Sequence, residues 1–226
     1  MIAAIVPAHD EEEHIGPCLA ALRIAAMSHA LGGEEVLLVV VLDACTDRTG
    51  AIAREMGAIT VTVQSRNVGV ARARGALRAL RDGARWLAFT DADTVVSPDW
   101  FAAQLALKAE VVCGTVAVAD WGVYGEPMRR HFAETYTDAD GHRHIHGANL
   151  GMSASAYLRA GGFAPLASSE DVALIEALQD SGASIAWSAA PRVFTSARRA
   201  FRAPGGFGAT LARVGHDLGV VEGCAS

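Results

Sequence analysis

The sequence predicts an α/β fold: a mostly parallel central sheet with helices on both faces. Three observations predict it. Apolar, β-favouring runs at residues 2–6, 36–42, 59–63 and 85–90 alternate with helix-patterned stretches, the order that threads a parallel sheet. Polar signals follow the runs in turn: His9-Asp10-Glu11, Asp43, Arg66-Asn67 and Asp91-Ala92-Asp93. Sheets of this kind bind ligands outside the carboxyl ends of their strands. Finally, 226 residues at 51% hydrophobic content can bury a full core in one domain without disulfides.

Each element has its own signal. The first run is broken at Pro7 and followed by Asp10-Glu-Glu-Glu13. A helix over 14–30 places Ile15, Leu19, Leu22 and Ala26 on one face, with acids in its first turn to complement the dipole. The second strand leads to a helix over 47–56, for which Thr46 and Asp47 are candidate caps. After the third strand, a helix over 70–82 carries Arg72, Arg74, Arg78 and Arg81. The fourth strand is followed by a helix over 98–107.

Beyond residue 110 the pattern loosens. A strand is expected over 111–119, then a long polar stretch over 120–146, read as a mobile flap or acceptor loop. A short helix near 155–160 should stop at Gly161-Gly162. Ser168 or Ser169 is expected to cap a helix running to Leu178. Short strands at 185–187 and 192–195 precede a Gly-rich, weakly helical tail.

Composition narrows the function. A net charge of −6 argues against broad nucleic-acid binding, and Lys108 is the single lysine in an otherwise arginine-based cation set. Arginine's planar fork suits carboxylate and phosphate partners. Cys18, Cys45, Cys113 and Cys224 lie far apart with no Cys-x-x-Cys pair, which predicts reduced thiols and a cytoplasmic protein. No cationic leader precedes the first strand, and the seven apolar residues at 36–42 cannot cross a bilayer. A soluble protein is expected.

The chemistry centres on Asp91 and Asp93. In an extended backbone residues i and i+2 point the same way, so the two carboxylates should converge at a strand's end. Hard oxygen donors there suit a divalent cation that also binds a diphosphate. Asp43 is expected to accept a hydrogen bond from a ring N–H of a base, with capping of the following helix as the competing role. His142, His144 and His146 alternate in a way a zinc site could use, but no partner set is visible, and an acceptor loop is the preferred reading. Arg198, Arg199 and Arg202 form a basic patch suited to a diphosphate or an anionic acceptor, or to a solvated tail.

Taken in order, these segments resemble the family 2 glycosyltransferases, whose nucleotide-sugar-binding fold is called GT-A, over roughly residues 2–200. Val6-Pro-Ala-His-Asp-Glu11 looks like the family's Pro-x-Tyr-Asn-Glu start, and Leu42-Asp-Ala-Cys-Thr-Asp-Arg-Thr49 like its Asp-x-Ser-x-Asp-x-Thr segment. Asn67-Val-Gly-Val-Ala-Arg-Ala-Arg74 and Thr90-Asp-Ala-Asp93 follow, then Gly147-Ala-Asn-Leu-Gly151, Gly161-Gly-Phe163 and Glu170-Asp171.

The resemblance implies a nucleotide-binding half at 1–110 and an acceptor and catalytic half at 111–226. It places Pro7, Ala8, His9 and Glu11 around base and ribose, with a histidine where a tyrosine is usual. It aligns Arg74 with an arginine near the nucleotide, leaving Arg72, Arg78 and Arg81 as a solvated face. Asp91, Ala92 and Asp93 fall on the diphosphate. Asp93 would bind Mn²⁺ or Mg²⁺ directly, and Asp91 would support the ribose or reach the metal through water. Asp171 is the candidate general base, at a helix start whose dipole favours its ionised form.

The expected reaction is single-sugar transfer with inversion, from a nucleotide-sugar, UDP-linked by family weight, to a hydroxyl on a small-molecule, glycan or lipid-linked acceptor. The Gln-x-x-Arg-Trp motif and membrane helices of processive members are missing from the sequence. Two alternatives stand beside this: a non-catalytic nucleotide-sugar-binding protein, and a sugar-nucleotide pyrophosphorylase. The acidic loop after the first strand disfavours the second. No Gly-x-Gly-x-x-Gly follows that strand, which disfavours a dinucleotide-dependent oxidoreductase.

Overall fold

The first apolar run forms β1 (Ile2–Ala8), an inner strand of the main sheet buried on both faces. A computed structural model describes residues 1–198 and 206–220. In chain order β1 is followed by α1 (Ile15–Ala26), β2 (Val36–Asp43), α2 (Thr49–Glu55), β3 (Ile59–Val63), α3 (Val68–Arg81) and β4 (Trp86–Phe89). The second half adds β5 (Val95–Val96), α4 (Trp100–Ala106), β6 (Val111–Gly114), β7 (Ala117–Val118) and α5 (Gly125–Thr135). It continues with β8 (Leu150–Ser153), α6 (Ala154–Arg159), α7 (Glu170–Asp180), β9 (Ile185–Ser188), β10 (Val193–Thr195) and α8 (Phe207–Asp217).

The central sheet has seven strands in the order β3-β2-β1-β4-β8-β6-β9. All its pairings are parallel except those of β8, which runs antiparallel to both β4 and β6. Alternation along β1 sends Ile2, Ala4 and Val6 into one apolar layer and Ala3 and Ile5 into the other. α3 lies unusually close to the sheet: a Cβ on Gly75 would stand 2.4 Å from Ile5 Cγ2, so only glycine fits there. A second, three-stranded sheet, β5-β10-β7, flanks the first.

Several expectations are corrected. The strand expected over 111–119 divides after Gly114, because the Asn149 side chain takes the Thr115 carbonyl (2.7 Å) out of the sheet's ladder. The polar stretch 120–146 contains a 3₁₀ turn (Gly122–Tyr124) and α5. α1 has no acid in its first turn. The acids before it instead tie two loops together: Asp10 accepts the Thr46 N–H (2.7 Å) and Glu12 the Arg48 N–H (3.0 Å). Ser169 precedes α7 at φ 59° without a side-chain capping bond. Asp91 and Asp93 leave the strand and sit in a turn closed by Thr94 N–H to Asp91 O (3.1 Å), so a turn, not strand pleating, sets their geometry. No described helix is long and apolar enough to cross a membrane.

Candidate active site

Strand order brings the carboxyl ends of β2, β1 and β4 side by side, and a cavity of about 820 Å³ opens above them. Pro7, Ala8, His9 and Glu11 line it from β1, Asp43 from β2, and Asp91, Ala92 and Asp93 from the turn after β4. Asp171 reaches it from the first turn of α7. Residues spread over 165 positions of sequence thus share one concave site, as expected, with one exception.

The exception is Arg74. It is exposed and lines a separate shallow cleft with Val61, Ser65 and Val70. Two residues along a helix turn the side chain by about 200°, so Arg72 and Arg74 face opposite ways. Arg72 faces the cavity and is 4% exposed. Its Nη2 donates to Asp91 Oδ1 (2.6 Å) and its Nη1 to Glu170, while Nε has no partner among the described residues. The solvated-face reading of Arg72 is therefore corrected. Position 72 shares a helix face with Gly69, Ala76 and Ala79, all buried, and that period could have identified it. Glu170 is the other residue missed. Burial raises its carboxyl above the ordinary value although Arg72 opposes the shift. Gly147 must lack a side chain for this arrangement, since a Cβ there would stand 2.4 Å from the Arg72 guanidinium.

Asp43 is 4% exposed and its carboxylate accepts four hydrogen bonds. Oδ1 takes the N–H groups of Ser65 (2.7 Å) and Arg66 (2.8 Å); Oδ2 takes the Ser65 hydroxyl (2.8 Å) and the Asn67 N–H (2.8 Å). Burial alone would raise its pKa, but these donors hold it below the ordinary value. Its evident work is to fix the loop before α3, and a ring N–H could reach it only by sharing an oxygen. His9 is held by Nδ1–H donating to the Asp43 carbonyl (2.7 Å), which presents its ring to the cavity.

Asp93 sits in a negative field. Burial, then the neighbouring Asp91 charge, pushes its carboxyl up to about 6, with Arg198 opposing and Glu11 adding to the rise. The Arg198 guanidinium bridges the acids, at 3.1 Å from Asp93 Oδ2 and 2.6 Å from Glu11 Oε2. It marks a place that attracts positive charge. Arg199 and Arg202 lie outside the described residues, as does Cys224. Asp171 Oδ2 accepts the Gly147 N–H (2.8 Å) and Oδ1 accepts its own helix's Val172 N–H (2.9 Å), so the carboxylate is aimed by two elements. Asn149, which follows Gly147 and Ala148 in sequence, is wholly buried and braces the Thr115 and Pro191 carbonyls.

The three histidines form no metal centre. His142 stacks on His144 (5.5 Å) and His144 on His146 (5.9 Å). One ring nitrogen of each makes a local bond: His142 Nδ1 accepts the His144 N–H, His144 Nε2 the Thr137 N–H, and His146 Nε2 meets the Tyr136 hydroxyl at 2.9 Å, while His142 Nε2 is buried without a partner among the described residues. Asp10, Cys45 and Asp47 do bring three possible ligand atoms within 4.8 Å of one another. Their carboxylates are already used by the N–H groups of Thr46, Asp47, Thr49 and Glu12, which makes the group a loop brace.

A family model described as "Glycosyl transferase family 2" matches residues 3–159. Among solved structures, TarS 1-349 of S. aureus in complex with UDP-GlcNAc aligns at a TM-score of 0.66 and 16% identity, over 96% of this chain and 66% of that one. The mannosyltransferase PcManGT of Pyrobaculum calidifontis, in complex with GDP-Man and Mn²⁺, aligns at 0.65 and 18% identity, over 88% and 57%. Glucosyl-3-phosphoglycerate synthase of Mycobacterium tuberculosis, in complex with Mn²⁺, UDP and glucosyl-3-phosphoglycerate, aligns at 0.62 and 17%, over 88% and 72%. At these identities the likeness is one of fold. The chain spans 61% to 66% of the TarS 1-349 chains. No curated protein sequence matches it.

Proposed function

The chain belongs to glycosyl transferase family 2, and from that premise we propose that it transfers one sugar from a nucleotide-sugar to an acceptor hydroxyl, with inversion. Its GT-A fold supplies the frame. The observation that carries the reading is a single cavity at the strand ends that holds Asp91, Asp93 and Asp171 together with Arg72 and Arg198.

In this reading Asp171 takes the proton of the acceptor hydroxyl as its oxygen attacks the anomeric carbon. The bond from that carbon to the diphosphate breaks in the same displacement, and the nucleoside diphosphate departs. Gly147 and the start of α7 hold the Asp171 carboxylate in one orientation for that transfer. Asp93 would bind Mn²⁺ or Mg²⁺ directly, with Asp91 beside it. Two hard oxygen donors fit such an ion, and the guanidinium resting on Asp93 is consistent with a cation-seeking site. When bound, the ion supplies positive charge to the leaving diphosphate. Arg198 is placed to exchange its acidic partners for phosphate oxygens.

The proposed donor is a UDP-sugar, supported by the UDP and UDP-GlcNAc in the TarS complexes; the GDP-Man complex makes GDP the natural comparison. Asp171→Asn tests the assignment. Release of UDP from a panel of UDP-sugars, with water as acceptor, should slow by about 10²-fold or more. Affinity for UDP should hold, because asparagine retains an oxygen for the Gly147 N–H. An unchanged rate places the base elsewhere. An equal loss of UDP affinity makes Asp171 a donor-site residue.

A further inference from the structure

The far wall of the cavity differs from the strand-end wall. It is built by α5, the 3₁₀ turn before it and α8, whose Tyr124, Met128 and Leu211 join Trp121 and Ala197 in one apolar cluster. From that seam Phe132, Tyr136, Phe207 and Val214 turn toward the cavity, and each remains only half-buried. The rings are continuous. Phe132 stacks on Tyr136 at 4.4 Å and meets Phe207 edge-on at 6.0 Å. Phe207 in turn meets the His146 ring edge-on at 6.1 Å.

Charge is segregated between the two walls. Among the described lining residues, no Asp, Glu, Lys or Arg comes from α5 or α8. The charged side chains of these helices, Glu126, Arg129, Arg130, Glu134, Arg213 and Asp217, all point to solvent. His146 is kept neutral by burial, which pulls it down to about 4. The deep cations are engaged, Arg72 with Asp91 and Glu170, and Arg198 with Glu11 and Asp93. Half-exposed aromatic rings inside a concave site, with the charges of the same helices turned outward, are arranged to desolvate a flat or aliphatic body.

We propose that this wall is the acceptor subsite, and that it takes a neutral acceptor whose hydroxyl is borne next to an apolar, ring-like body. The inference rests on the glycosyl-transfer reading and adds the acceptor's class to it. The hydroxyl end would point toward Asp171 while the apolar body lies along Phe132 and Phe207. The cavity of about 820 Å³ reaches from the strand-end acids to this aromatic wall, so both lie in one continuous space. An anionic acceptor, such as the phosphoglycerate in the M. tuberculosis neighbour's complex, would meet no Lys or Arg from α5 or α8 on this wall, whose one ionisable base from these helices is the His131 imidazole.

The test is calorimetric titration of the protein, first with UDP and Mn²⁺, then with phenyl β-D-glucoside, methyl β-D-glucoside or 3-phosphoglycerate. Phenyl β-D-glucoside should bind about tenfold tighter than its methyl counterpart, from burial of the ring alone. The 3-phosphoglycerate should bind most weakly. Phe207→Asp should erase the phenyl preference; Thr210→Asp, a change at an exposed position on the same face, should do so as well and decides the matter if the first variant does not fold. Failure of UDP to bind would strike the transferase reading itself. Normal UDP binding with equal phenyl and methyl affinities, with a preference for 3-phosphoglycerate, or with a phenyl preference that survives in the folded variants, overturns the subsite.

Discussion

Arg72 shows what one side chain can organise. Its guanidinium joins Asp91, after β4, to Glu170, at the start of α7, and so couples the turn after β4 to the helix that carries Asp171. Arg72 and Glu170 are both buried, while Asp91 is partly exposed, so removing Arg72 leaves the Glu170 charge uncompensated in the core. Arg72→Met should therefore destabilise the fold by about 3–5 kcal/mol in urea titration. The double variant Arg72→Met/Glu170→Leu should recover much of that, because both charges of the tightest pair are then gone. A loss under about 1 kcal/mol for the single variant, the range of exposed pairs, would show that the pair is not buried in solution. Motif alignment pointed to Arg74; the helical period of small buried residues around position 72 was the better guide.

At the scale of elements, the strongly apolar strands were legible and the sparse ones were not. β3 falls where its alternation predicts, at Ile59–Val63. α5 was missed because its apolar signal is a single row, Tyr124, Met128, Phe132 and Tyr136 at every fourth position, within an otherwise polar and mostly exposed segment. The two- and three-residue strands of the small sheet are too short to show a period. Between α5 and β8 the histidine stack is held by Tyr136, whose oxygen accepts the Val116 N–H (2.9 Å) and lies 2.9 Å from His146 Nε2. Burial first, then the neighbouring His144 and His142, lower His146 from 6.5 to about 4. The unfolded chain thus binds a proton in a range where the folded chain does not. Stability is full above the unfolded value near 6.5 and falls as pH drops toward 4. His146→Gln, which keeps an acceptor for Tyr136 but cannot titrate, should flatten the fall in urea midpoint between pH about 7 and about 5. An undiminished pH dependence in the variant would show that His146 is not the group responsible.

For the whole molecule, the strand order β3-β2-β1-β4 is what makes a site from separate loops. The chain steps outward from β1 to β2 and β3, then returns to place β4 on the other side. The crevice between β1 and β4 is the switch point at which such sheets bind ligands. Local pattern announced a parallel sheet and polar strand ends, but strand order and the antiparallel β8 depend on long-range packing that no window of sequence displays. Asp43, Asp91 and Asp93 were legible because each follows an apolar run. Glu170 and Arg72 were not, since their roles exist only once α3 and α7 meet.

The central claim is that this crevice binds a nucleoside diphosphate through a cation held at Asp93. Thermal unfolding of the protein and of Asp93→Asn, each with UDP, with and without Mn²⁺, tests it most directly. Ligand bound only to the native state must raise the melting temperature. The account predicts a UDP-dependent rise that Mn²⁺ enlarges in the unaltered protein, and loss of the Mn²⁺ contribution in the variant. A Mn²⁺-enhanced UDP shift of equal size in Asp93→Asn would contradict it.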